Sequence, residues 1–483
     1  MKLKKIFFII FCFIFLSIIF ILAIPSILSS KIGIKFLKNQ IEKQTNSIIE
    51  IESLKLSWLG SQSIKNLSYK DSNIDLKVDA ITTNSGLISF YKSLNYYKNL
   101  GFAGNTEIAN LYVDFHIPNF PKSNFYNVYA SIKSADKKLK SVNISAKTKE
   151  NTTEGSLLAS IEINNTRTIT KIEGKNIPTL GIDQLLFYKK KPYQKLLIQS
   201  IGPSFNISIN SDLNNLSGPI NIDFVSEFSR GKINFFIENN ILSLKDTATF
   251  SLNLPPINPP FIKNLNYLRS EMGHPIVLKI FSDGFSLPIK PFEIKNFKIK
   301  HAFLDLNKLI VSNTGIIQTI SNISKMAPND LVSIWFTDIN LQLQDGIIYT
   351  DRMDFLVDDT IHMCTWGNIN LLEKSLHLYL GITQEILQNI FGIKNLPEEY
   401  IIKIPIKGSI ENPKIDVSSA TAKILALSTL QSSSKIGALI GNVVTQFQND
   451  KNIPKPKKPY PWERKTNKKQ SSKSNILDIF KKK

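Results

Sequence analysis

The sequence has few of the residues that build disulfides and metal sites. Its 483 residues include two cysteines, Cys12 and Cys364, and five histidines. Because the cysteines stand far apart, a small protein held together by disulfides is excluded. The histidines never form a pair with the spacing of metal ligands, so no metal site is expected. His377 alternates with apolar neighbours and is interpreted as a solvated strand residue.

Motifs for common enzyme chemistry are missing as well. The chain has no GxxxxGK[ST], HExxH or GxSxG sequence, and no GxGxxG at a strand-to-helix junction. Phosphate-binding loops and common hydrolase sites therefore have no support. Asp358 and Asp359 are adjacent and would point to opposite faces of a strand, so a polar turn is the better interpretation. We predict that the protein is not an enzyme and that it has no catalytic residue, metal ligand or cofactor.

Positive charge is abundant but is not concentrated in the body of the chain. The formal net charge is +20, and residues 449–483 carry twelve Lys or Arg against three acidic residues. Three more lysines precede residue 6. The remaining excess is diffuse and comes with no DNA-reading or RNA-reading motif. Nucleic acid is therefore not expected as a partner.

One segment is long and apolar enough to cross a bilayer, which excludes a polytopic membrane protein. Ile6 to Leu28 is nearly all Ile, Phe and Leu, and no charge occurs from Ile6 to Ser30. A spanning helix needs about 20 such residues, whereas the apolar region of a cleaved signal peptide has about 7 to 15. We interpret residues 1–30 as a cytoplasmic stub and a retained signal anchor. The lysines that precede the apolar run favour export of everything after it.

After a short helix predicted from Ile34 to Gln44, the dominant pattern has a period of two residues. In NIDLKVDA, Leu76 and Val78 alternate with charged residues, which places the apolar groups on one face of a strand. Turn-forming pairs such as Asp345-Gly346 and Lys407-Gly408 separate such runs. The sequence therefore predicts a mainly β protein. The other alternating runs are centred on Leu56, Ile207, Leu341, Leu378 and Ile404.

The apolar face of each strand has to be covered. About 20 strands at ~4.8 Å spacing would extend a sheet by roughly 100 Å, and an open sheet of that size must curl. A curled sheet with its apolar side inside is a long trough. Two filled β-sandwiches would show the same alternation of apolar and polar residues. Alternation alone favours these sandwiches over a trough.

Changes in composition divide the chain into segments. LPPINPPF, from Leu254 to Phe261, interrupts the sheet because proline lacks the donor that a central strand needs. Residues 417–448 switch to helical spacing, and the prolines and lysines beyond them are typical of disorder. After the anchor at 1–30, we expect a β-rich exported region at 31–253, a proline-rich boundary at 254–261, a second β region at 262–416, an amphipathic helical segment at 417–448 and a basic disordered tail at 449–483.

Two stretches resemble AsmA-like proteins, the group that includes TamB and the wider repeating β-groove lipid-transfer proteins. The first follows the apolar run and the short helix, and reads IIEIESLKLSWLGSQSIKNLSYKDSNIDLKVDAI. The second has a GNINL step at Gly367 to Leu371, followed by PIKGSIENP at Pro405 to Pro413 before a terminal helix. Together they cover about a third of the chain.

The resemblance implies a fold and a function. The expected fold is a transmembrane helix followed by an elongated, curled antiparallel β-sheet, or β-trough, and a C-terminal helical segment. The expected protein is anchored in the bacterial inner membrane, holds phospholipid acyl chains in its periplasmic β-groove and contributes to phospholipid transport and outer-membrane homeostasis. An anchored scaffold that assists outer-membrane protein assembly without carrying lipid stays open, and an envelope protein partner fits both. The candidate groove residues are Leu76, Val78, Ile207, Leu341, Leu343, Leu376, Leu378, Ile402 and Ile404.

Overall fold

The computed structural model describes most of the chain and confirms the mainly β class. Strands account for 56% of it, and helices are few. The described residues are 22–89, 104–116, 122–135, 138–187, 195–260, 265–323, 329–397, 399–432 and 453–463.

Most of the predicted anchor lies outside the described residues, which begin at residue 22. Residues 22–29 are helical. Within the described part of the chain, no helix is both long and apolar enough to cross a membrane. The transmembrane anchor therefore stays a prediction.

The chain forms two compact units. The first comprises Met1–Tyr188 and Gly202–Glu227, and the second comprises Lys189–Ile201 and Phe228–Lys483. The proline-rich stretch, which we expected to mark the main boundary, lies inside the second unit. There Ile257 exchanges two backbone hydrogen bonds with Leu268, so the prolines interrupt strand structure without separating the units.

The first unit begins with helix α1 (Lys31–Thr45), which confirms the predicted short helix. The Ser30 side chain caps its first turn by accepting a hydrogen bond from the Gly33 amide. Helix α2 (Thr179–Phe187) follows the eighth strand. Each of the ten strands pairs antiparallel with the next one along the chain. The strands are β1 (Ile48–Lys55), β2 (Gln62–Lys70), β3 (Ile74–Thr83), β4 (Thr106–Phe115), β5 (Ser123–Ala135), β6 (Lys138–Glu150), β7 (Thr153–Asn164), β8 (Arg167–Pro178), β9 (Ser204–Asn214) and β10 (Gly218–Ser226).

Asparagines in the left-handed backbone region interrupt the alternation of four of these strands. Asn66, Asn110, Asn127 and Asn176 have φ of 48°, 50°, 49° and 48° in β2, β4, β5 and β8. Asparagine tolerates this region better than other side chains. At Asn110 and Asn127 the β4–β5 pairing shifts by one residue, and such bulges bend a strand and increase its twist.

The sheet also bends sharply where β6, β7 and β8 meet. The Thr148 hydroxyl of β6 donates a hydrogen bond of 3.0 Å to the Asn176 carbonyl of β8, although flat neighbours two strands apart are separated by about 9.6 Å. Gly155 of β7 lies between them, and a Cβ on it would come within 2.2 Å of the Lys175 carbonyl oxygen. The absence of a side chain at Gly155 therefore permits the bend, which closes toward the face that carries Thr148.

The second unit contains fifteen strands and four helices within the described residues. Strand β21 pairs with β20 along its first half and with β19 along its last residues, so it joins two branches of antiparallel sheet. The strands are β11 (Ser229–Glu238), β12 (Ile241–Leu244), β13 (Ala248–Leu252), β14 (Leu268–Ser270), β15 (Ile276–Ile280), β16 (Phe285–Pro288), β17 (Lys298–Asp305), β18 (Lys308–Ser312), β19 (Leu331–Phe336), β20 (Ile339–Gln344), β21 (Ile347–Val357), β22 (Ile361–Asn370), β23 (Ser375–Thr383), β24 (Ile401–Ser409) and β25 (Asn412–Ile415). The helices are α3 (Leu196–Ile201), α4 (Gly315–Ile323), α5 (Gln384–Asn389) and α6 (Val417–Ser432), with a 3-10 turn at Ile294–Asn296.

Two of the three predicted turns are confirmed. Asp345 and Gly346 connect β20 to β21 with positive φ at both residues, as a two-residue hairpin requires. Asp358 and Asp359 have positive φ in the connection from β21 to β22. The turn predicted at Lys407-Gly408 was wrong, because β24 continues to Ser409 and Gly408 pairs with Pro413 inside the ladder.

Candidate functional site

One face of the first unit's sheet carries an unbroken apolar row across all ten strands. Each member of the row is the direct pairing partner of the next one. At ~4.8 Å per strand the row is about 45 Å long. We call this surface the apolar face. The row consists of Leu54, Ile64, Ile81, Ile108, Ala130, Ile144, Ala159, Ile172, Ile209 and Ile222.

The apolar face is half-buried along most of its length. Leu54 is buried at the β1 edge, but the other nine residues of the row keep part of their surface accessible. Along β9 and β10, residues on the opposite face, such as Asn210, Asn221 and Asp223, are exposed. The sheet is therefore amphipathic, and its apolar side is neither closed like a core nor fully open.

The three groove candidates in the first unit lie on the apolar face. Leu76 and Ile207 are half-buried, whereas Val78 is buried. Val78 pairs with Leu111 of β4, and Ile207 pairs with Phe224 of β10. The structure therefore places these candidates on one continuous surface, in rows parallel to the one described above.

The six candidates in the second unit lie in a different environment. Ile402 and Ile404 belong to a closed core in which strands β18, β19 and β21–β24 pack with helices α4, α5 and α6. Ile404 has no accessible surface, and a side chain without accessible surface cannot contact a lipid. We therefore remove Ile402 and Ile404 from the candidate groove, and Val78 with them, because its exposed fraction is 1% against 3% for Ile402. Of the other four, Leu343 and Leu376 are buried, and Leu341 and Leu378 are half-buried.

A group of buried polar side chains lies at one end of the apolar face. Ser123 of β5 and Glu150 of β6 are directly paired, and Phe115 of β4 is the next residue in the same row. Thr179 and Gln184 of α2 are buried as well. We call Ser123, Glu150, Thr179 and Gln184 the polar end.

Helix α2 packs against the strands that form this end. Gly181 lies against the rings of Phe115 and Phe125, since a Cβ on it would come within 2.8 and 2.9 Å of them. The two rings meet edge to face, with 6.1 Å between their centroids. The absence of a side chain at Gly181 therefore lets α2 approach β4 and β5, next to Ser123.

The second unit contains a buried group of charged residues around His362 on β22. Its Nε2 lies 3.0 Å from Asp354 Oδ1 and its Nδ1 lies 3.2 Å from Glu385 Oε2. Arg352 donates two further hydrogen bonds to Asp354, of 2.6 and 2.9 Å. Burial alone would lower the pKa of His362, but the hydrogen bonds to the two carboxylates outweigh it and raise the pKa.

A C-terminal segment, residues 453–463, covers this charged group. The rings of Tyr460 and Trp462 stack with 4.8 Å between centroids, and both meet the His362 ring edge to face. Arg352 donates to the Pro454 carbonyl, and Lys457 forms an ion pair of 2.9 Å with Asp351. The sequence predicted disorder for 449–483. In the structure, residues 453–463 are instead docked on the second unit, because the rings of Tyr460 and Trp462 contact the His362 ring of β22. Residues 449–452 and 464–483 lie outside the described residues.

The charged group does not form a recognisable catalytic arrangement. Cys364 lies two residues from His362 on β22, but it is buried, and burial raises the pKa of its thiol to about 12. A thiol of that pKa is not ionised near neutral pH and is therefore inert. Across the described ranges, no group of three or more His, Cys, Asp or Glu residues is placed to hold a metal ion.

Comparison with known proteins names no relative. No family model, no curated protein and no solved structure matches this chain. The resemblance to AsmA-like proteins therefore stays a proposal.

Sequence reasoning missed the polar end and the docked C-terminal segment. The period of two residues places Glu150 on the apolar face, in series with Ile144, Ala146 and Thr148. Its charge and its position at the end of the strand nevertheless favoured a solvated side chain. Tyr460 and Trp462 gave a clearer indication, because two aromatic residues within three positions are unusual in a disordered tail. Their partner His362 is about a hundred residues away in sequence, and sequence alone could not pair them.

Proposed function

We propose that the protein holds lipid acyl chains along the apolar face of its first unit. The observation that carries the proposal is the ten-strand apolar row whose members stay half-buried. In a filled core such a row would be closed, as Ile404 is in the second unit. A partly accessible apolar surface of about 45 Å instead offers an extended site for hydrocarbon.

The energetics favour a lipid as occupant. Each methylene removed from water contributes about 0.8 kcal/mol, so an acyl chain that lies on the apolar face leaves a bilayer without its full hydrophobic cost. The polar head group can remain in water or at the edge of the sheet. No cofactor or catalytic residue is needed for this activity, which is binding and transfer rather than reaction.

The cellular setting of the proposal rests on the sequence. The apolar run before residue 30 would anchor the protein in the bacterial inner membrane and place the body in the periplasm. The resemblance to AsmA-like proteins supports a role in phospholipid transport and outer-membrane homeostasis. The local bend at Gly155, which closes toward the apolar face, supports a curled sheet.

A direct test compares aspartate substitutions on the two faces of the same sheet. Ile172→Asp and Ile207→Asp place a carboxylate among the acyl chains, yet leave it able to reach water in the lipid-free protein. We expect bound phospholipid, measured by mass spectrometry of the purified full chain, to fall about tenfold, while the free energy of unfolding changes by about 1 kcal/mol.

Two further variants serve as controls. Val225→Asp changes an exposed residue on the opposite face of β10, and it should keep wild-type lipid. Ile404→Asp buries an unpaired charge in the closed core and should unfold the second unit, because that costs several kcal/mol. The proposal fails if the wild-type chain carries no phospholipid, or if Ile172→Asp and Ile207→Asp retain as much as Val225→Asp.

The scaffold alternative also has a specific observation in its favour. A pocket of about 630 Å³ lies against β4 to β8, and Tyr129 and Leu158 line it from the polar face. Both side chains are more than half exposed, at 52% and 57%, and exposed aromatic and aliphatic groups are typical of protein contacts. Loss of an envelope protein partner in Tyr129→Ser and Leu158→Ser, together with no bound lipid in wild type, would favour a scaffold.

A further inference from the structure

The surface around helix α1 and the β1–β2 connection leaves large apolar side chains exposed. Ile32 and Phe36 of α1 are 80% and 57% exposed, and Leu59, between β1 and β2, is 81% exposed. Leu22, in the helical residues 22–29, is 62% exposed. We call these four residues the exposed group. Proteins rarely keep several such side chains on one surface unless a partner or a membrane covers it.

Hydrogen bonds hold the members of the exposed group on one part of the first unit. The Trp58 indole donates a hydrogen bond of 3.2 Å to the Leu22 carbonyl, and Trp58 directly precedes Leu59. The Leu56 amide donates a hydrogen bond of 2.8 Å to the Ser29 hydroxyl, two residues before α1 begins. The β1–β2 connection is therefore fixed against the chain that leads into α1.

Helix α1 is apolar on two opposite sides. Ile34, Leu37 and Ile41 follow the spacing of one helix face and are half-buried, as expected of the side that packs on β1. Ile32 and Phe36 are four positions apart on the other side, where a helix surrounded by water carries polar residues. The second apolar side therefore has no function within the first unit.

Lysines border the exposed group. Lys31 and Lys35 are exposed and adjacent in sequence to Ile32 and Phe36, and α1 as a whole carries four lysines against one glutamate. Apolar side chains bordered by lysines are typical of a helix that lies on a membrane surface. Each basic residue near anionic lipid contributes about 1 kcal/mol to such binding.

The apolar run of the sequence indicates what covers the exposed group. Leu22 belongs both to this group and to the uncharged run from Ile6 to Leu28. A bilayer that took up the run would therefore meet Leu22 and the β1–β2 connection bound to it. Lysines and an indole are the usual residues at the boundary of such a run. We propose that the exposed group binds the surface of an anionic phospholipid bilayer, with its apolar side chains among the upper acyl groups and the lysines of α1 among the head groups.

This inference rests on the membrane anchor of the proposed function and adds an orientation to it. Leu54, the first residue of the apolar row, is two positions from Leu56, which is about 7 Å along the chain. Binding of the exposed group would therefore hold the β1 end of the apolar face at the bilayer. An acyl chain has its shortest path between bilayer and groove at that end.

The test measures how close each side chain lies to lipid in the full-length protein, reconstituted in nanodiscs of phosphatidylglycerol and phosphatidylcholine. The variants Ile32→Cys, Phe36→Cys and Leu59→Cys each carry an NBD fluorophore, and a nitroxide on the lipid acyl chains quenches it. Leu158→Cys, at a position 57% exposed on the opposite face of β7, is the matched control. We expect quenching at the three positions to exceed that of the control about fivefold. All variants also carry Cys12→Ser, whereas the native Cys364 is buried and stays in place.

Charge reversal tests the anionic surface. Lys31→Glu together with Lys35→Glu should reduce quenching at Phe36→Cys about threefold, and high salt should have a similar effect without these changes. The control pair is Lys147→Glu with Lys149→Glu, at exposed positions of β6, and it should leave the quenching unchanged.

The outcomes separate this inference from the proposed function. Equal quenching at Leu158→Cys and at the exposed group, in a protein that still carries phospholipid, would overturn the membrane contact and leave the lipid groove standing. Equal quenching in discs of phosphatidylcholine alone would overturn the assignment of an anionic surface. A full-length chain that does not migrate with the discs would overturn both the anchor and the membrane contact.

Discussion

Glu150 shows how the burial of a single carboxyl group can make the stability of the fold depend on pH. It pairs with Ser123 in the ladder, yet its carboxyl group has no hydrogen-bond partner. A solvated carboxyl group at this position would have nearly the same pKa in the folded and the unfolded chain. A buried carboxyl group instead makes stability depend on its protonation state.

The lipid-free protein should therefore lose stability as pH rises. In the unfolded chain the pKa of Glu150 is near its ordinary value of 4.5, and in the folded protein it is raised to about 7. The folded state therefore binds a proton that the unfolded state has lost, and stability falls between pH 4.5 and 7 and stays low above that range.

Substitution of Glu150 isolates this effect. Glu150→Gln should raise the free energy of unfolding of the first unit by about 1–3 kcal/mol at pH 8, and should leave it nearly unchanged at pH 4. Urea unfolding at the two pH values measures both. Glu162→Gln should be neutral at either pH, and an equal response of the two variants would show that Glu150 is not buried as described.

At the scale of elements, the regular strands were predictable and the irregularities were not. Strands at Ile74, Ile207, Leu341, Leu378 and Ile404 follow from a period of two residues, because one face of each is apolar. The alternating run centred on Leu56 was only partly right, since β1 ends at Lys55.

The interruptions in β1 to β5 left a trace in the sequence. Apolar residues such as Ile51 and Leu54, or Ile64 and Leu67, are three positions apart where strict alternation gives two. Each of these pairs lies on one face, because direct pairing links Ile51 and Leu67 to Val128 of β5 and links Leu54 and Ile64 to Ala130, two residues further along β5. A three-residue step between apolar residues, repeated in successive strands, therefore indicates where the alternation of a strand is interrupted.

The C-terminal segment illustrates structure that no local pattern predicts. Its prolines and lysines favour an extended chain, and its two aromatic residues dock because β22 presents His362 between two carboxylates. Tyr460 is 6% exposed. Contacts of this kind depend on tertiary structure, whereas composition describes only the isolated segment.

Removal of this segment should destabilise the second unit. Truncation after residue 452 exposes the charged group around His362, and Tyr460→Ala should reproduce most of the effect, with a loss of about 1–3 kcal/mol. Thermal unfolding should then shift by several degrees. Lys455→Ala changes an exposed residue of the same segment and serves as the control. Equal melting temperatures for truncated and full chains would show that the segment is dispensable.

For the whole molecule, the decisive contrast is between the two units. The second unit closes its apolar strand faces with helices, as a filled core does, and Ile404 is fully buried there. The first unit leaves a continuous apolar surface half-buried. The sequence offered the trough and the filled sandwich as alternatives for the whole body, because alternation is identical in both. The structure shows a closed core in the second unit and a half-buried apolar face in the first.

Photo-crosslinking in cells tests the lipid groove most directly. A p-benzoylphenylalanine residue placed at Ile144, Ile172 or Ile209 lies on the apolar face, and one placed at Leu158 or Val225 lies on the opposite face of the same sheet. We expect phospholipid adducts at the first three positions and none at the other two. Equal adducts on both faces, or protein adducts without lipid on the apolar face, would contradict the proposal that this unit carries acyl chains.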